Sequence, residues 1–95
     1  MITVMGRVKI EELPKFLGMF ANRGATMRRY HGSEDAQVFK VSESENEVIV
    51  LFTWRSREAF EGFLADPEVK TTMASSGTLG KPEFTYLEPL ARFPG

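Results

Sequence analysis

Five consecutive apolar residues, Val48-Ile49-Val50-Leu51-Phe52, stand inside a segment from Glu47 to Trp54 that reads as a strand. A strand with one solvated face alternates polar and apolar. An unbroken apolar run belongs to a strand covered on both faces. Whatever this chain folds into must therefore cover two sides of that strand.

The rest of the chain supplies one cover. Ile2, Val4, Val8 and Ile10 share one parity against Thr3, Arg7 and Lys9, the pattern of a first strand. From Glu11 the period lengthens. Leu13, Phe16, Leu17 and Phe20 fall at i, i+3, i+4 and i+7, the stripe of an amphipathic helix, with Pro14 in its first turn and Arg23-Gly24 as its stop. Residues 25–34 read as a linker rich in Arg, Gly and Ser. Ala36 to Ser42 is the next strand, and the polar turn through Asn46 joins it to the apolar strand as a hairpin. Ser56 is the expected N-cap of a helix presenting Ala59, Phe60, Phe63 and Leu64. Asp66-Pro67-Glu68 restarts that helix and Gly77 ends it. After a loop over 76–82, Glu83 to Leu87 alternates as a last strand.

The order β-α-β-β-α-β is that of an α+β, ferredoxin-like domain, one antiparallel sheet with helices on one face, spanning residues 1–95. Two helices cover one face of such a sheet. The continuous apolar strand asks for cover on the other, and the same face of a second copy supplies it most economically. The expectation is a homodimer built sheet against sheet, a dimeric α/β barrel.

Composition narrows the function by exclusion. The 95 residues hold no cysteine and a single histidine, which removes disulfides, thiolate zinc sites, cysteine nucleophiles and multi-histidine metal sites. Twelve basic against thirteen acidic residues give a net charge of −1. Arg28-Arg29 with His31 is the only dense basic spot, too little for nucleic-acid binding. No apolar run approaches the roughly 18–20 residues that cross a bilayer. The start Met1-Ile2-Thr3-Val4-Met5 lacks a signal peptide's basic onset and long apolar stretch, so the expected location is the cytoplasm. Glu43, Glu45 and Glu47 read as a solvated turn, and Ser75-Ser76-Gly77 as helix-terminal punctuation.

The apolar strand ending in Trp54, the helix start Ser56-Arg57-Glu58-Ala59-Phe60, the restart Asp66-Pro67-Glu68-Val69 after Phe63-Leu64, then Gly77 and Pro82-Glu83 resemble the antibiotic biosynthesis monooxygenase family of the dimeric α/β-barrel superfamily. The matching pieces cover about half of the chain by motif and all of it by element order. The resemblance implies a ligand cavity in each protomer between sheet and helices. The haem-degrading branch of the superfamily implies an Asn late in the first strand, a Trp inside the second helix and a His farther along it. Here those places hold Arg7 or Gly6, Phe63 and Met73, so haem degradation is not expected. The cofactor-independent branch, which oxidises phenolic rings to quinones, implies a Trp at the end of the third strand with Asn, Tyr and Arg groups around the cavity. Trp54 matches that Trp. Asn22 ends a helix and Asn46 lies in a turn, so the Asn partner is missing. No cofactor is expected.

Within that frame His31 is the natural general base for a phenol or enol, or else an exposed loop histidine. Arg28 and Arg29, adjacent on an extended segment, point opposite ways, so one reaches the pocket to hold an anion and the other is solvated. Both are alternatively plain surface charges. Trp54 either walls the cavity and stacks on a ring or packs a strand end, and Tyr86 joins it in positioning the ring. Phe39, Phe52, Phe63 and Met73 form core, part of it facing the cavity. The function expected is a dimeric pocket for an aromatic or polyketide-like small molecule, with cofactor-independent oxygenation or a cyclase or isomerase step as its activity. The alternative is a non-catalytic dimeric module that binds a hydrophobic ligand or serves in stress.

Overall fold

The computed structural model describes residues 1–95. Four strands, β1 (Ile2–Ile10), β2 (Ser33–Lys40), β3 (Glu47–Trp54) and β4 (Thr78–Leu87), form one sheet in the order β2-β3-β1-β4. Every pairing is antiparallel. Helices α1 (Leu13–Ala21) and α2 (Arg23–His31) connect β1 to β2, while α3 (Arg57–Ala65) and α4 (Pro67–Ser75) connect β3 to β4. This is the ferredoxin-like arrangement that the element order implied.

Parity decides which side of the sheet the helices cover. Val4, Val8 and Ile10 of β1, with Val48, Val50, Phe52 and Trp54 of β3, are buried beneath them with Phe16, Phe60, Phe63 and Val69. The other parity of β3, Ile49 and Leu51, is only half-buried. By register Leu51 stands beside Met5 and Gln37, and Ile49 beside Arg7 and Phe39, on the face without helices. The unbroken apolar run is thus two half-sets, one inside the core and one on the open face.

The predicted caps are present. The Ser56 hydroxyl accepts from the backbone N–H of Ala59 at 3.1 Å, and Asp66 accepts from that of Glu68 at 2.9 Å. Gly77, at φ +81°, closes α4 in a conformation that side chains rarely adopt.

Two expectations about chain path are corrected. Residues 25–34 are largely helix: Asn22 interrupts the helical path for one residue, and its carbonyl then accepts from the N–H of Thr26. The stop is Gly32, at φ +99°, whose N–H reaches the carbonyls of Arg28 and Arg29. Arg28, Arg29 and His31 sit in the last turn of α2, where cations face the negative end of the helix dipole. Arg28 and Arg29 are therefore about 100° apart around a helix, not opposed on an extended chain. The second correction concerns β4, which begins at Thr78, where Thr78 and Leu79 pair with Ile10 and Lys9 ahead of an irregularity between Lys9 and Arg7. No helix is long and apolar enough to cross a membrane.

Candidate active site

Between the sheet and the helices lies a cavity of about 70 Å³. Val8, Val50 and Phe52 form its sheet side, and Phe16, Phe63 and Met73 its helical side. These residues meet because the sheet contributes even positions of β1 and β3 and each helix contributes its apolar stripe. Met19, Met27 and Met73 all reach the cavity, so part of its wall is unbranched and able to repack. The volume is roughly half of the ~150 Å³ that accepts a benzene ring in an engineered core. A ring enters only as those side chains give way.

The polar side chains on this wall are Arg28, Thr72, Ser76 and Thr78. The Ser76 hydroxyl donates to the carbonyl of Met73 at 2.7 Å and lies 3.0 Å from the Thr78 hydroxyl. Thr72 is buried, and its hydroxyl oxygen has no hydrogen-bond partner. Arg28 folds back along its own helix pair. Its Nη1 donates to the carbonyl of Phe20 at 3.0 Å, and its guanidinium stacks 3.7 Å from the Phe20 ring centroid. Gly24 makes room for this, because a Cβ there would stand 3.0 Å from Nη1 and 3.1 Å from the Met19 carbonyl oxygen. Burial, and then the like charge of Arg29, lower the Arg28 pKa to about 10.

The sequence-derived candidates divide. Arg28, Phe52, Phe63 and Met73 come together on the cavity wall. Arg29 is exposed. His31 does not line the cavity. Its ring turns to the junction of α3 and α4, where Nε2 donates to Asp66 Oδ2 at 2.8 Å. That bond, together with the N–H of Glu68, holds the Asp66 carboxyl below the usual carboxylate range. The His31 ring also meets Phe63 edge-on at 5.9 Å, one side chain removed from the cavity.

Trp54 is fully buried behind the cavity rather than on it, packed 4.8 Å from Phe63 and 5.4 Å from Phe52 between ring centroids. Its indole N–H has no acceptor. Tyr86 is half-buried, with the Arg57 guanidinium 4.0 Å over its ring. Phe39 stands outside the site altogether. Its neighbour Val38 takes the core parity, which leaves Phe39 43% exposed on the open face.

Thr72 and Ser76 were not among the residues expected. Their signal was present: Val69, Thr72, Met73 and Ser76 fall at i, i+3, i+4 and i+7, one face of α4 with every second member a hydroxyl. No cluster of three or more His, Cys, Asp or Glu side chains occurs in the structure.

Comparison with known proteins places this geometry among relatives. The sequence profile of the antibiotic biosynthesis monooxygenases matches residues 1–75. Among solved structures the chain is similar to SnoaB, a cofactor-independent oxygenase from Streptomyces nogalater, with 18% identity and a TM-score of 0.76 over 99% of this chain and 97% of that one. A crystallised antibiotic biosynthesis monooxygenase superposes with TM-score 0.72 and 10% identity over 96% of this chain and all (100%) of that one. An uncharacterized NIPSNAP domain protein from Burkholderia xenovorans gives 0.68 and 19% over 100% of both chains. No curated protein sequence matches the chain.

Proposed function

We propose a small-molecule oxygenase role for this chain, which belongs to the antibiotic biosynthesis monooxygenase family. The observation that carries the reading is the apolar cavity between sheet and helices, with one unpaired cation, Arg28, on its wall. Its ligand is an electron-rich aromatic ring. The apolar side chains hold the ring, and the positive charge of Arg28 favours an ionised form of it in a setting where water screens little.

The reaction that fits is oxidation of a phenol to a quinone by dioxygen without a cofactor. The ionised phenol passes one electron to dioxygen, the radical pair joins at the ring carbon para to the oxygen, and the hydroperoxide loses water. One dioxygen is consumed per quinone, with its second atom released as water, so the ring supplies every electron. His31 is not assigned the proton transfer, because it faces Asp66 and not the cavity. The phenol proton leaves to solvent. Trp54 acts through Phe52 and Phe63, which it backs, as a positioning residue.

A homodimer completes the reading. Met5, Ile49, Leu51 and Phe39 form an apolar strip across the open face, and a second copy of that strip is its natural cover.

The test is oxygen uptake by chelator-dialysed protein across mono- and bicyclic phenols. Uptake above the protein-free rate, reduced when Met73→Phe fills the cavity, supports the proposal. Uptake indifferent to Met73→Phe places the chemistry elsewhere.

A further inference from the structure

Arg28 stands between two spaces. It belongs to the wall of the apolar cavity. It is also the one residue of that wall that lines a second, polar hollow of about 200 Å³ between α2 and the start of β2, shared with Arg29, Ser33, Glu34 and Asp35. The side chain is held inward by a single residue, through the Phe20 carbonyl at 3.0 Å and the Phe20 ring at 3.7 Å. Although only 9% exposed, it takes part in none of the protein's ion pairs. Buried charges are ordinarily paired, because the desolvation cost is otherwise unanswered.

The outer hollow offers what the inward position lacks. Of its two carboxylates, Asp35 is engaged, since its Oδ1 accepts from the N–H of Thr53 at 3.3 Å. Glu34 is exposed and enters no ion pair. Arg28 thus chooses between a buried, unpaired position and a wetter one beside a free carboxylate, by rotation about its own side-chain torsions. The cavity needs such a movement. At about 70 Å³ it is too small for an aromatic ring, and Arg28 is the wall residue with a second space to occupy.

We propose that Arg28 is the gate of the cavity: it leaves Phe20 and swings out to Glu34 while a ring passes through the polar hollow, then returns inward over the seated ring. This rests on the cavity being the ligand site proposed above and adds its route of entry. Inward, Arg28 favours the ionised ring as already described. Outward, it joins the cavity to solvent. Glu34 is a positioning residue that acts through Arg28 and does not touch the ligand. The outward state is crossed in both directions, so Glu34 sets the rates of entry and exit and leaves the affinity alone.

Fluorine NMR exchange spectroscopy with 4-fluorophenol at neutral pH, which yields kon, koff and Kd together, tests it. The proteins are wild type, Glu34→Gln, Arg28→Met, the double variant and Met73→Phe, each checked for folding by circular dichroism. Glu34→Gln is expected to slow kon and koff alike, by roughly threefold to tenfold, with Kd unchanged. In the Arg28→Met background the same substitution has no effect. Rates indifferent to Glu34→Gln, a change in koff alone, or equal slowing in the Arg28→Met background each overturn the gate and leave the cavity reading standing. No binding to wild type, or binding that survives Met73→Phe, overturns both.

Discussion

Nε2 of His31, the last residue of α2, donates to Oδ2 of Asp66 at 2.8 Å across 35 residues of sequence. Asp66 meanwhile caps α4 through the N–H of Glu68. One carboxylate therefore fixes the end of α2 against the break between α3 and α4, the joint that sets the helices over the cavity.

That joint is acid-sensitive. The folded-state carboxyl of Asp66 is depressed, first by the His31 hydrogen bond. Its contribution is complete above the ordinary aspartate range near about 4 and is lost as the pH falls through that range toward the lower folded value. Urea unfolding followed from pH 6 downward is expected to lose stability over this window. Asp66→Asn, which retains an N-cap side chain, flattens the acid limb.

Arg28 is a liability to the fold at neutral pH. Its pKa of about 10 lies below the ordinary arginine value, so the folded state disfavours the charged form throughout the range in which the side chain stays protonated. Arg28→Met keeps the long stem and removes the charge. Thermal melting of this variant is expected to match wild type or exceed it by up to about 2 kcal/mol. A loss of more than about 1 kcal/mol would mean that the Phe20 contacts hold the fold.

Gly6 is the position on β1 over which the Phe84 ring closes. A Cβ there would stand 2.9 Å from Phe84 Cε1, and Phe84 is packed in turn on Phe60 at 5.1 Å between centroids. Gly6→Ala is expected to cost about 1–3 kcal/mol in urea unfolding as the ring is pushed from its place.

The open sheet face gives an independent prediction. Leu51 lies on it beside Met5 and Gln37, outside the buried core. Leu51→Arg is expected to sediment as a monomer at concentrations where wild type sediments as a dimer, with an unchanged circular dichroism spectrum. A wild-type protein that is monomeric at high concentration contradicts the sheet-to-sheet assembly.

Much of the fold could be read from residue pattern alone, because strands and amphipathic helices write their periods in apolar residues. The parity of β1, the hairpin ending at Trp54 and the caps at Ser56 and Asp66 all have such local causes. Helix α2 does not. Met27 is its one large buried apolar side chain, and Arg28 fills the other buried position, so the segment looks like a linker. This hid the site as well. On an extended segment either arginine could enter the pocket, whereas on a helix Arg28 is directed inward and His31 toward Asp66. The reach of Asp66 to a histidine 35 residues away is a tertiary fact with no local signature. Trp54 and Phe39 illustrate a different limit: neither residue type nor spacing distinguishes a side chain on a cavity wall from one behind it or on the opposite face.

The most direct test of the account is the stoichiometry of oxygen uptake when the dialysed, metal-stripped protein is given a phenol with a free para position. The account predicts one dioxygen consumed per quinone formed, no hydrogen peroxide, and loss of turnover in Met73→Phe. Uptake no faster than without protein, or hydrogen peroxide released in step with product, would contradict it.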